Sequence, residues 1–258
     1  MGTFPQELLD AVIDELADLG STNMSDYSTI SRQWVARTQK HHFKSIRFRG
    51  TKDLRKWRTA IEPDPSGVSR HVRELIFGGI NGLDDFGEHI RAFTNAETVF
   101  IFGGHFLCPP SVAEYFAPLG SSLVRLEIQK APATPHALTS LLAALPHLRK
   151  FGAHFLYIKG NHKTTRLPPR IPFFEGANTL HLSLVNGNST LGSLGWLPPS
   201  ARFRELKINP ACLLDRSGRV QQWIASSGGS LEVLKIIGGY PRGASPNLFS
   251  SASFLSLL

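Results

Sequence analysis

Eight short apolar triplets, each of the form apolar-x-x-apolar-x-apolar, recur along most of the chain. They stand at Phe43/Ile46/Phe48, Val72/Leu75/Phe77, Ala96/Val99/Ile101, Leu123/Leu126/Ile128, Leu148/Phe151/Ala153, Ala177/Leu180/Leu182, Phe203/Leu206/Ile208 and Leu231/Leu234/Ile236. Successive starts lie 24 to 29 residues apart. With 41% apolar residues, isolated triplets also arise by chance, so the even spacing carries the weight. Alternation at the end of each triplet predicts a short strand, and the period leaves room for one return segment. A unit of this size cannot bury its apolar face alone, whereas stacked neighbours close a continuous core. The expected fold class is therefore α/β, a solenoid with a parallel sheet and one strand per repeat. A compact α/β sheet domain is the competing architecture.

Several return segments read as helices. Residues 83–93 hold Phe86, Ile90 and Phe93, and residues 111–116 follow a Pro-Pro start. Residues 134–145 are the clearest, with Leu138, Leu141, Leu142 and Leu145 on one face and Pro135 near the start. Residues 220–226 form another, ended by Gly228-Gly229. Residues 159–174, rich in Pro, Lys and Arg, read as a loop. Pro63, Pro65 and Gly67 suit an excursion between the first and second strands. Gly-Gly follows apolar residues at 78–79, 103–104 and 238–239 without the Lys-Ser/Thr pair of a phosphate loop. These pairs read as tight turns, where glycine tolerates positive φ. One more period from Leu231 arrives at Leu258, so the apolar residues 254–258 stand where a solenoid needs a cap.

The stretch 4–48 has a different rhythm. Pro5 suits the first position of a helix, Glu7 and Asp10 lie near its positive end, and Gly20 would stop it. Leu8, Leu9, Val12, Ile13, Leu16 and Leu19 recur at helical spacing as one apolar face. After a polar break, Ile30 and Trp34 stand one turn apart. Local physics thus predicts an acidic amphipathic helix, a turn and a second helical unit, too small to bury much core unaided.

The order of residues here resembles an F-box. Phe4-Pro5 stands for the opening Leu-Pro, Glu7-Leu8 for Glu-Leu, and Ile13 and Leu16 for the later apolar positions. Ile30-Ser31-Arg32-Gln33-Trp34 matches the Val-Ser-Arg-x-Trp segment, and His42-Phe43 the closing pair. Phe4, Met24 and Tyr27 depart from the usual Leu, Leu and Cys while keeping apolar character. The repeats resemble the irregular leucine-rich-like repeats that follow an F-box in large fungal families, although the usual Asn or Cys after the strand is mostly replaced. The resemblance implies a substrate-recognition subunit of a Skp–cullin–F-box ubiquitin ligase. An F-box-like domain over 1–48 would dock on the Skp linker protein, and through it a cullin, with Phe4, Pro5, Leu8, Ile13, Ile30 and Trp34 as apolar anchors. Leu16 and Tyr27 would support them from inside. A domain over 49–258 would hold an unidentified target protein, and the chain would work in the cytoplasm, the nucleus or both.

Charge offers an alternative. The net charge is +8, and residues 31–60 carry ten Lys/Arg against the single acid Asp53. This basic segment, 32–58, could engage nucleic acid or an acidic surface, but no finger spacing or aromatic strand motif accompanies it. No apolar run approaches the roughly 20 residues that span a bilayer, and no secretory signal opens the chain. Cys108 and Cys212 are too few for a disulfide framework.

A search for chemistry finds no HExxH, no paired Cys/His ligand spacing and no GxSxG elbow. His105 with Cys108 lacks a third orienting group, and Asp84, Asp85 and Glu88 read as a polar helix start. The expectation is a binding protein, not an enzyme, with no metal or cofactor. Strand residues between the apolar anchors should line the ligand face: Glu74 and Ile76, Thr98 and Phe100, Arg125 and Glu127, Lys150, Thr179 and His181, Glu205 and Lys207, Val233 and Lys235. Of these, Phe100, Arg125, Glu127, His181, Lys207 and Lys235 are the candidate target contacts.

Overall fold

The computed structural model describes residues 5–19, 24–27, 32–61, 67–79, 87, 89–102, 112–129, 132–158, 171–175, 178–184, 201–208 and 231–236. Phe4, Ile30, Phe86, the segments 103–110, 159–170 and 209–230, and the C-terminal residues 237–258 lie outside them.

Three helices open the described chain: α1 (Gln6–Asp18), α2 (Met24–Tyr27) and α3 (Arg32–His42). Pro5 sits one position earlier than expected, as the N-cap of α1, where its carbonyl accepts from the N–H groups of Leu8 at 3.2 Å and Leu9 at 3.3 Å. Two residues after α3, the chain enters β1 (Ser45–Phe48). It continues through α4 (Thr51–Ile61), β2 (Glu74–Gly78), β3 (Thr98–Phe102), α5 (Val112–Phe116), β4 (Arg125–Gln129) and β5 (Pro132–Ala133). Then follow α6 (Pro135–Ala143), β6 (Lys150–Ile158), β7 (Asn178–Leu184), β8 (Phe203–Ile208) and β9 (Val233–Ile236).

All the strand pairs among the described residues are parallel, in the order β1-β2-β3-β4-β6-β7-β8-β9, with β5 paired to the far end of β6. Parallel neighbours require a crossover between them, and here each crossover leads to the adjacent strand. The register is that of the triplets. Ile46, Leu75, Val99, Leu126, Phe151, Leu180, Leu206 and Leu234 form one continuous column across the sheet. Phe48, Phe77, Ile101, Ile128, Ala153, Leu182, Ile208 and Ile236 form the next. Except toward β9, these side chains are buried.

The first residue of a triplet closes the turn into its strand. The N–H groups of Val72, Ala96, Leu123 and Leu148 donate to the carbonyls of Ser69, Phe93, Leu119 and Leu145, and all four side chains are buried. The ladder then begins one residue ahead of the strands. The carbonyl of Lys44 accepts from the N–H groups of Arg73 and Glu74, that of Arg73 from Glu97 and Thr98, and that of Glu97 from Val124 and Arg125. Sharing one carbonyl between two donors keeps the strand entries hydrogen-bonded and in step.

The core lies on one side of the sheet, where the two columns meet the return segments. Leu54, Ile90, Phe93, Val112, Phe116, Leu138, Leu141, Leu142, Leu145, Phe173 and Phe174 join the same cluster. Thr134 caps α6 by accepting from the Ala137 N–H at 3.1 Å, with Pro135 beginning the helix as expected. The stretch after β1 forms α4, whose Leu54 is fully buried and whose Trp57 ring lies 6.0 Å from Phe48 and 5.9 Å from Phe93. Gly79, after β2, has φ +67°, the conformation expected of a Gly-Gly turn. Among the described residues, no helix is long and apolar enough to cross a membrane.

Candidate functional site

Two surfaces stand out, one on α1 and one on the sheet face opposite the core. The apolar face of α1 is divided by its neighbours. Ile13, expected as a docking anchor, is instead fully buried, so it supports the unit from within. Leu9 and Leu16 are half-buried. Leu8, Val12 and Leu19 keep 52%, 45% and 75% exposure, and with Leu16 they continue one stripe along the helix. Pro5 at its head is exposed.

The acidic face of α1 supplies the clasp that holds it. Asp14 accepts a bidentate hydrogen bond from the Arg37 guanidinium and approaches His41 Nε2 at 2.6 Å, both from α3. These hydrogen bonds, Arg37 first, hold the Asp14 carboxyl well below its usual range. Trp34 is half-buried, with its ring 6.4 Å from Tyr27 of α2. Phe4 and Ile30 lie outside the described residues.

On the sheet, alternation places the expected contact residues together in two columns. Ser45, Glu74, Thr98, Arg125, Lys150, Thr179, Glu205 and Val233 make one. Arg47, Ile76, Phe100, Glu127, Gly152, His181, Lys207 and Lys235 make the other. Phe100, Arg125, Glu127, His181, Lys207 and Lys235 are all partly exposed there.

The centre of this face is a connected polar network beside an aromatic shelf. Phe100 and Phe102 stack at 5.6 Å with planes 13° apart, and the Arg125 guanidinium lies 4.9 Å from the Phe100 centroid. Arg125 Nε donates to Glu127 at 2.8 Å, and the other Glu127 oxygen is 3.4 Å from His154 Nε2. The His154 and His181 rings meet edge to face at 4.2 Å. Burial alone would raise the Glu127 pKa, but the His154 and Arg125 hydrogen bonds outweigh it and bring it to about 2. Burial, then the charge on His154, push His181 down to about 4.

Gly152 makes this network possible. A Cβ there would stand 2.9 Å from Glu127 Cγ and 3.2 Å from His154 Nε2, so the glycine lets Glu127 lean across β6. Farther along, Glu205 pairs with Lys235 at 2.9 Å and Lys207 at 3.3 Å. Sequence reasoning missed Phe102 and His154 because it ended each strand two residues past the central anchor, and it passed over Gly152 because a glycine brings no side chain to the face. Carrying the alternation one step further, from Phe100 to Phe102 and from Gly152 to His154, would have found the first two.

A hollow of about 400 Å³ lies at the strand entries, lined by His41, His42, Lys44, Ser45, Arg73, Glu74, Glu97 and Thr98. Both of its carboxylates are engaged there: Ser45 donates to Glu74 at 2.6 Å, and Arg73 lies 3.6 Å from Glu97. Among the described residues, no three His, Cys, Asp or Glu side chains are grouped to hold a metal ion. His105, Cys108 and Cys212 lie outside those residues. No protein-family model matches the chain, and no curated protein matches its sequence.

Proposed function

We propose that the chain is a substrate-recognition adaptor of a Skp–cullin–F-box ubiquitin ligase. In this reading residues 1–48 are an F-box-like helical domain that docks on the Skp linker protein, and through it on a cullin. Residues 49–258 are an irregular leucine-rich-repeat-like solenoid whose sheet face, opposite the core, holds the target. The observation that carries the reading is the uncovered stripe of Leu8, Val12 and Leu19 on a helix whose opposite side is clamped to α3. A small helical unit that leaves such a stripe bare gains by burying it against another protein. The ordered agreement of Pro5, Glu7-Leu8 and the Ile30-to-Trp34 segment with an F-box supports the choice of partner.

The chain forms no bonds in this scheme. It supplies proximity, holding the target where a recruited conjugating enzyme can reach its lysines. The anchors are Phe4, Pro5, Leu8, Ile30 and Trp34, joined by Val12 and Leu19, with Ile13 serving as internal support. The chain would then work in the cytoplasm, the nucleus or both. A pull-down of purified Skp linker protein by the full chain tests the reading. Wild type should retain the linker and the Pro5→Ala/Leu8→Ala variant should lose it; comparable retention by the variant would count against the assignment.

A second reading is favoured by the exposure of Lys40, Lys44, Arg47, Arg49, Lys52, Arg55 and Lys56 within 32–58. Such a cluster would bind nucleic acid or an acidic surface with affinity that falls steeply as salt rises. An apolar docking through α1 would change little over the same range.

A further inference from the structure

We infer that the sheet face between β2 and β7 receives an acidic segment of the target that also carries an aromatic or aliphatic side chain. This deepens the adaptor reading and rests on its assignment of that face to the target.

The charges of the face are unequal in their availability. Its two columns contain the glutamates Glu74, Glu127 and Glu205 and the cations Arg47, Arg125, Lys150, Lys207 and Lys235. Every glutamate is already engaged within the face. Glu74 accepts from Ser45, Glu127 is held by Arg125 and His154, and Glu205 by Lys207 and Lys235. A basic partner would have to break the Glu127 and Glu205 pairs, whereas Glu74, held only by a hydroxyl, stands three strands away from Lys150. Lys150 and Arg47, by contrast, are exposed and pair with no carboxylate among the described residues. Lys150 stands in register beside Arg125, so two cations adjoin there while Glu127 answers only one of them. An incoming carboxylate gains at this point without displacing anything.

The apolar half of the recognition lies next to it. Ile76 and Phe100 are register partners, and Phe102 extends the shelf along β3, all three half-exposed. Lys150 is in register with Thr98, two strands across and two residues along from Phe100, roughly 12 Å at the usual spacings. An extended chain covers that distance in about three to four residues. The surface therefore suits an apolar side chain and a carboxylate about three to four residues apart.

Aromatic rings among cations also suit single-stranded nucleic acid. The interleaved glutamates argue against it, because a phosphate backbone crossing the columns would meet Glu74, Glu127 or Glu205. A peptide can place its carboxylates only where the cations are.

The test is selection of phage-displayed random dodecapeptides on the full-length chain, followed by fluorescence polarisation of the enriched peptides. Enrichment of Asp or Glu about three to four positions from an aromatic or aliphatic residue is expected. Lys150→Glu and Phe100→Ser should each weaken the enriched peptides about tenfold or more. Leu8→Glu/Val12→Glu, which removes the α1 stripe, should leave their affinity unchanged. No enrichment, enrichment of basic or uncharged peptides, full affinity in Lys150→Glu, or tighter binding of a uridine oligonucleotide would each overturn the inference. The two claims separate when this assay is read beside the Skp pull-down. Peptide binding without Skp binding sinks the adaptor reading alone, and Skp binding without peptide binding sinks this one alone.

Discussion

At Gly152 the sheet has little room for a side chain, because a Cβ would stand 2.9 Å from Glu127 Cγ and 3.2 Å from His154 Nε2. Gly152→Ala should push Glu127 off His154 and destabilise the fold by about 1–3 kcal/mol, read as a lower unfolding midpoint. An unchanged midpoint would mean that Glu127 swings aside freely. The same cluster makes stability depend on pH in two windows. His181 is held at about 4 against an ordinary 6.5, by burial and then by the charge on His154, so the unfolded chain takes up a proton the folded chain resists. Its contribution is complete above pH 6.5 and is lost as pH falls toward 4; His71, also lowered by burial, acts in the same direction. Glu127 acts lower: its contribution is complete above its ordinary 4.5 and is lost as pH falls toward about 2. Urea midpoints across pH should therefore decline less steeply between 6.5 and 4 in His181→Asn, and below 4.5 in Glu127→Gln. A slope equal to wild type in either variant would remove that residue from the account. Alternation put Arg125, Glu127 and His181 on this face beforehand, but their linkage was not legible, since Glu127 and His154 are 27 residues apart and meet only across a position without a side chain.

Among the elements, α6 was legible to its first residues because its signals are local. Thr134 and Pro135 start it, and Leu138, Leu141, Leu142 and Leu145 line the buried face. Thr134→Ala should cost about 1 kcal/mol through loss of the hydrogen bond from Ala137 N–H, and Thr134→Ser should restore most of it in thermal unfolding. A cost no greater for Ala than for Ser would show that solvent caps the helix equally well. The buried side of α4 was missed for a physical reason: Leu54 and Trp57 are embedded among Lys and Arg, so the segment read as a basic surface. Its apolar spacing is helical, but its burial depends on Phe43, Phe48 and Phe93, which lie in other elements. The α1 stripe shows the same limit. Six apolar residues at helical spacing predict an apolar face, and only the position of α3 divides it into buried Ile13 and exposed Leu8, Val12 and Leu19.

For the whole molecule, eight triplets at near-constant spacing predicted a parallel sheet with one strand per repeat, and their last two residues are the ones that stand in register across it. A parallel sheet built strand by strand repeats its turn, its anchor and its ladder, so one misread repeat does not shift the others. The two columns expected to face a ligand follow from that register, because alternation sends every second side chain to the face away from the core. Geometry alone leaves the occupant of each surface open, and the adaptor reading assigns the α1 stripe to the Skp linker and the columns to a target. Calorimetric titration of Skp linker protein into the full chain, beside the Leu8→Glu/Val12→Glu variant, tests that assignment most directly. Both residues are exposed, so the variant should fold as wild type does. The account predicts saturable one-to-one binding by wild type and at least about a tenfold loss in the variant. No heat with wild type, or equal affinity in the two chains, would contradict it.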